Sequence, residues 1–203
     1  MLCIVPTLRE RKRARTRQAL IEAAVDLFER HGYERTTIAD IAAAADIGTR
    51  TFFSYFATKE ELLFPESDER IRAGVDAIAN RRPGDGPIDV LLRGLDDASA
   101  GSDDMTGRLA RLRTRLMHDT PVLLGRAMQI QLAGAAVIAR ELAVAYPDRL
   151  DEVSAAALTG AFTGAVTAAL LALFDDPALA GNPAETRAAL RRAVEQALRP
   201  GSN

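Results

Sequence analysis

The chain has 203 residues, with 26 Lys and Arg against 28 Asp and Glu, a formal net charge of −2. That balance speaks against a protein that coats nucleic acid through bulk positive charge. A 48% hydrophobic and 27% charged composition speaks against disorder. The length suits one ordinary domain or two small ones. Alanine supplies 38 residues, and alanine favours helix over strand. The single Cys3 rules out an internal disulfide framework and a multi-cysteine metal cluster, and it fits a reducing cytosol. At the N-terminus the apolar stretch comes before the basic run, the reverse of a secretory signal, so a cytoplasmic location is expected.

Helix signals parse most of the chain. Thr7 and Glu10 form a plausible capping box for a helix that runs to His31 and stops at Gly32. Leu20, Ala24, Leu27, Phe28 and His31 recur on one face of it. Thr37 and Asp40 resemble a second capping box, with Ile38, Ile41, Ala42 and Ala45 on the apolar side. A third short helix starts near Thr49 and carries Phe52, Phe53 and Phe56. Thr58 and Glu61 suggest a fourth, running to about Asn80, which Pro65 must kink or delay.

Residues 81–87 read as a loop. Pro87 then opens a helix to about Ala100, ended by Gly101. Ser102 caps the next, to about His118. Thr120-Pro121 starts a helix to about Tyr146, broken by Pro147-Asp148. Another spans about Arg149 to Phe174. Asn182-Pro183 opens the last, which ends before Pro200. No convincing period-two strand interrupts them, so the fold class is all-α with about nine helices. Seven of the ten aromatic residues lie in the first 64 positions. That bias predicts a small ring-filled domain over 1–64 and a larger helical body over 65–203 packed through Ala and Leu.

The stretch 37–64 carries the sharpest pattern. Ala42 is small where one short helix must be crossed by the next. Four residues on, a tight turn calls for a left-handed residue, and Asp46 tolerates that conformation better than most. Ile47 and Phe52 plug the turn and the next helix into the core. Thr49, Arg50, Thr51, Ser54 and Tyr55 then point outward, a set of hydrogen-bond donors without a carboxylate. Such a set suits a DNA groove: Arg50 matches a guanine edge, and Thr and Tyr reach phosphates or a thymine methyl. Lys59 adds positive charge at the following helix start.

These residues, TIADIA at 37–42 and GTRTFFSYFATKEELLF at 48–64, with the preceding TRQALIEAAVDLFERHGYERTT, resemble the DNA-binding domain of the TetR family of bacterial transcriptional repressors. The resemblance covers roughly residues 14–64. It implies a homodimer of helical subunits, each with a DNA-binding head and a body that holds a small ligand. It also implies that Thr37 contacts phosphate and that Thr49, Arg50, Thr51, Phe53, Ser54 and Tyr55 line the recognition helix. Tyr55 and Lys59 would be among the phosphate contacts. Phe53 stands where the family often has Tyr, and Gly48 where a Ser cap is common.

Arg9, Arg11, Lys12, Arg13, Arg15 and Arg17 face one acid, Glu10, so residues 1–20 carry +5 by formal count. Beside a recognition helix, Arg11, Lys12 and Arg13 read as phosphate or minor-groove contacts; a solvated helix end is the plainer alternative. The acidic total is therefore an average over a basic N-terminus and an acidic remainder.

Val153 to Phe174 contains no charged residue, a span long enough to cross a bilayer. Eight of its residues are Ala and six are Ser, Thr or Gly, so it reads as a buried helix of a protein with no membrane partner. By the resemblance, residues 150–174 and 183–199 would form the dimer interface.

The body offers candidate effector contacts at Arg113, Met117, His118, Met128, Gln131, Thr159, Phe162 and Thr163. Thr159, Thr163 and Thr167 form one stripe, either lining a cavity or bonding back to the i−4 carbonyls. Few aromatics in this region suggest an aliphatic pocket for an apolar or amphipathic compound. Motifs for a nucleophile elbow, phosphate loop, dinucleotide site or zinc protease are missing, and two separated histidines do not make a metal site. No catalytic residue, metal or cofactor is expected. The reading is a repressor released from a palindromic operator by a small molecule. A regulator or activator without small-molecule control, and a helical binding protein or enzyme with a vestigial head, remain as alternatives.

Overall fold

The computed structural model describes residues 7–100, 104–175 and 182–199; Cys3, Gly101, Ser102 and Pro200 lie outside them. Among the described residues the fold is all helical, with nine α-helices and one 3₁₀ helix. The chain divides into two compact units, residues 1–65 and 66–203.

The first unit contains α1 (Leu8–His31), α2 (Ile38–Ala44), α3 (Thr49–Phe52) and the 3₁₀ helix Glu60–Leu63. The capping boxes expected at Thr7 and Thr37 form, whereas Thr58, expected with Glu61 to cap a helix, does not: the 3₁₀ turn there starts after Lys59 with no side-chain cap. Thr7 accepts from the Glu10 backbone N–H while Glu10 reaches back to Thr7, and Thr37 and Asp40 do the same. Gly32 ends α1 at φ 85°, a conformation that favours glycine. Leu20, Ile21, Ala24, Val25 and Phe28 of α1 are buried. They are joined in burial by Ile41, Ala42, Phe52, Phe56, Leu62, Leu63 and Phe64. One expectation needs correction. The helix predicted from Thr58 to Asn80 is split: Pro65, which cannot donate to a helical ladder, ends the 3₁₀ segment, and α4 begins only at Ser67.

The second unit contains α4 (Ser67–Ala79), α5 (Pro87–Ala100), α6 (Arg108–Asp119), α7 (Pro121–Ala145), α8 (Glu152–Asp175) and α9 (Pro183–Leu198). α4 packs on α5 and α7, and α8 lies between α7 and α9. The α4–α5 approach is close because two glycines meet there: a Cβ on Gly94 would stand 3.0 Å from the Gly74 Cα. Val90, Leu92, Leu142, Ala155, Leu190 and Val194 form the centre of the core. Asn182 caps α9 by accepting from the Ala184 and Glu185 N–H groups, as its pairing with Pro183 predicts.

α6 departs from expectation. Its start is Arg108, several residues beyond the Ser102 cap expected from sequence, with extended Gly107 as N-cap. Asp104, Met105 and Thr106 are buried instead of opening the helix. The reason is a buried ion pair: the Arg113 Nη1 donates to Asp104 Oδ1 at 2.9 Å and its Nη2 to the Asp104 carbonyl at 2.8 Å. Asp104 lies four residues before the helix start and Arg113 five residues after it, and closing that pair fixes the segment before α6.

α7 and α8 are each long and apolar enough to cross a bilayer by length and composition alone. Both are built into the helical body, yet each leaves much of its surface uncovered by its own chain.

Candidate nucleic-acid interface

Seven residues of α2 lead into a turn that the backbone closes in a definite way. The Ile47 N–H bonds to the Ala42 carbonyl at 3.0 Å, and the Asp46 N–H to the Ala43 carbonyl at 3.1 Å. This is a Schellman closure, which requires a left-handed residue just past the cap. Asp46 supplies it at φ 54°, the one non-glycine positive φ among the described residues. Ile47 is half-buried and Gly48, extended, opens α3.

α3 hangs on one ring. Phe52 is fully buried, with its centroid 5.5 Å from Phe53 and 6.0 Å from Phe56. The α-helical part ends at Phe52, and tighter bonds from Ser54 to Thr51 and Tyr55 to Phe52 carry the turn onward. Around the buried anchor, Thr49, Arg50, Thr51, Phe53 and Ser54 are exposed and Tyr55 is half-buried. The outward set expected from periodicity is thus brought together on one surface. Its free donors are fewer than the sequence implies. The Ser54 hydroxyl donates to the Thr51 carbonyl at 2.6 Å, and the Thr37 hydroxyl to the Asp40 carboxylate at 2.6 Å. Those Thr37 contacts hold the exposed Asp40 carboxyl below its usual range.

The basic N-terminal residues are helical from Leu8 onward, with Arg9, Arg11, Lys12 and Arg15 exposed. A rigid helix end presents charge to phosphates; it does not thread a minor groove as an extended arm does. Arg13 is placed differently from its neighbours. Its Nη2 donates to the Ser54 carbonyl at 3.1 Å, and its guanidinium lies 5.0 Å over the Tyr55 ring. Arg17 similarly covers Phe56 and donates to the Pro65 carbonyl. These two arginines tie α1 to the residues that follow α3.

Lys59 is also committed within the head. Its ammonium donates to the Tyr33 carbonyl at 2.8 Å and the Thr36 carbonyl at 3.1 Å, and sits 4.0 Å over the Tyr33 ring. The segment that follows is a single 3₁₀ turn, so the helix N-terminus expected beside Lys59 is not there. The Tyr33 hydroxyl donates to Glu60 Oε1 at 2.6 Å. Burial pushes Glu60 up, but the Tyr33 hydroxyl, backbone and Thr58 bonds and the Lys59 charge together hold it below the usual 4.5. Sequence reading missed this clamp because its partners lie 23 to 27 residues apart. A depressed carboxylate stabilises the fold above its unfolded pKa, and that contribution is lost as pH falls through the folded value. Tyr33→Phe should therefore cost roughly 1–2 kcal/mol at neutral pH. The gap to the parent protein should shrink below about pH 4.5 in urea melts; a gap independent of pH would refute this role.

The expected effector contacts are scattered. Arg113 is buried on Asp104, Met117 and Thr163 are half-buried, and His118 and Met128 are exposed. Thr159 and Phe162 are buried. The threonine stripe bonds back along its own helix: Thr159 to the Ala155 carbonyl, Thr163 to Thr159 and Thr167 to Thr163, at 2.8, 3.0 and 2.8 Å. Gln131 joins it only through a long 3.4 Å contact from Thr167. An open cleft of about 260 Å³ lies between α5 and α9, and none of the eight candidates lines it. Among the described residues no cluster of side chains could hold a metal ion.

Two short helices joined by a Schellman turn, with a buried aromatic anchor and an exposed polar face, define a helix-turn-helix domain. Residues 20–64 match the family model of bacterial regulatory proteins of the tetR family. Residues 20–64 are therefore a DNA-binding domain of the tetR type. The chain is 39% identical over 127 residues to the HTH-type transcriptional regulator TcmR of Streptomyces glaucescens, covering 59% of this chain and 55% of that one. It is 32% identical over 88 residues to the HTH-type transcriptional repressor LfrR of Mycolicibacterium smegmatis, covering 43% and 46%. The chain thus spans about half the length of these curated relatives. The fold is similar to FadR of Thermus thermophilus, a TetR-family repressor solved with lauroyl-CoA. That match has a TM-score of 0.57 at 20% identity, over 92% of this chain and 95% of the other. It is also similar to a TetR-family protein of Syntrophomonas wolfei, with a TM-score of 0.64 at 16% identity, over 94% and 100%.

Proposed function

We propose that the protein is a homodimeric, sequence-specific DNA-binding repressor released from a palindromic operator by an amphipathic small molecule. The observation that carries this reading is the exposed face Thr49-Arg50-Thr51 beside buried Phe52, presented after a closed helix-turn-helix turn. Arg50 reads a guanine edge, while the threonines and Tyr55 position the helix on the backbone. Arg9, Arg11 and Lys12 supply phosphate charge from the first turns of α1. Replacing these three with Ala should reduce the slope of log affinity against log salt by roughly 2–3. An unchanged slope would show that α1 makes no phosphate contact.

Dimerisation through α8 rests on its uncovered face. Val153, Ala157, Gly160, Gly164, Ala168 and Leu171 are exposed at helical spacing, and nothing lies within 4 Å of where a Cβ on Gly160 or Gly164 would stand. Small residues there let a second copy of α8 approach closely, with α9 alongside. Gly160→Arg leaves the monomer unstrained and obstructs that approach. In sedimentation at micromolar concentration the parent should run as a dimer and Gly160→Arg as a folded monomer. A monomeric parent, or a dimeric variant, would overturn the assignment. The fold relative solved with lauroyl-CoA supports an amphipathic effector class for this chain. The body's aliphatic core is consistent with that class.

A further inference from the structure

Asp104 and Arg113 are the only charged residues in the buried class among the described residues. Arg70, on α4, joins them through Nη1 against Asp104 Oδ2, with its side chain 22% exposed. Two guanidiniums therefore converge on one carboxylate, from α4 and α6, and the carboxylate comes from the short segment before α6. Glu66, half-buried at the start of α4, adds a more distant negative charge felt by both arginines. Thr106, fully buried two residues beyond Asp104, has a hydroxyl with no hydrogen-bond partner among the described residues. Met105, Leu109, Leu112 and Leu123 are buried close by in sequence, and α7, packed against α6, exposes Leu124, Met128 and Leu132.

A structural ion pair needs one arginine. A second, with an idle hydroxyl in the same segment and buried apolar residues next to it in the chain, is the equipment for holding a carboxylate with an apolar tail. We infer that Arg70 and Arg113 form the anion-recognition end of the effector site, that Asp104 occupies it in the unliganded protein, and that the effector is an amphipathic acid. The inference rests on the ligand-controlled reading above. Exchange of Asp104 for a ligand carboxylate keeps both arginines paired while releasing the segment before α6 from α4. That gives an acid different affinities for the two arrangements, which any effector must have.

Decanoate and its neutral counterpart decanamide test this by calorimetry on the full chain. Asp104→Asn removes the internal competitor, so decanoate should bind about tenfold tighter than to the parent, with decanamide unchanged. The triple variant Arg70→Met, Arg113→Met, Asp104→Leu replaces all three charges with apolar residues and leaves none of them stranded, a change that buried ion networks commonly tolerate. It should bind decanoate at least about tenfold more weakly than Asp104→Asn does. If Asp104→Asn gains nothing for the acid over the amide, the site is wrong. A merely structural Asp104 would shift acid and amide together. DNA release is read separately. Decanoate that binds as predicted but leaves the operator complex intact would sustain the anion site and overturn effector release.

Discussion

Phe52→Ala should abolish DNA binding while the helical body still melts at the parent temperature. Phe52 is wholly buried at the crossing of α1, α2 and α3, with Phe53 and Phe56 rings against it. Removing a buried phenyl group costs about 3–5 kcal/mol. A unit of some 65 residues has about that much stability to lose. The body's apolar cluster draws on residues between Ile78 and Leu198 and contains no head residue. Circular dichroism should therefore show part of the helix signal missing at room temperature and one later transition near the parent value. Retained operator affinity with full helix content would mean that the ring does not anchor the recognition segment.

Arg113→Ala should be the most damaging single change in the body. It removes the Arg113 guanidinium from the buried Asp104 carboxylate, which Arg70 also faces. Burial draws Arg113 and Arg70 down to about 10, so both stay charged at neutral pH and the pair is ionic. Breaking a buried pair from one side costs about 3–5 kcal/mol, whereas replacing both members by apolar residues is often neutral. The melting temperature should fall by on the order of 10 °C in Arg113→Ala. Most of that should return in Arg70→Met, Arg113→Met, Asp104→Leu, which leaves none of the three charges stranded. A single variant as stable as the parent would show that the pair adds nothing to the body.

What the sequence reveals follows from how local the signals are. Capping boxes at Thr7 and Thr37, the left-handed Asp46 and the Asn182-Pro183 start each depend on residues within a turn of one another, and all four form. The outward face around Phe52 is legible for the same reason. Contacts that cross the fold are not. Nothing near Arg13 announces that its guanidinium lies on Ser54 and Tyr55, nor does anything near Lys59 point to Tyr33 and Thr36. A basic residue looks the same in sequence whether it faces phosphate or closes a head. The start of α6 is hidden by a related effect: Asp104 reads as a solvated acid until Arg113 brings it inside. The threonine stripe of α8 is visible as a period, but the period alone does not separate a cavity lining from the backbone bonds that the hydroxyls make.

The proposed function requires this exposed face to read a DNA sequence as a dimer. Selection of binding duplexes from a random pool with the full-length protein tests it most directly. An enriched inverted repeat is expected, its half-site centres about 34–36 Å apart along the duplex. Arg50→Ala, while still folded and dimeric, should lose preference at one position in each half-site. A pool that yields no enriched sequence with the parent protein would contradict the proposed function.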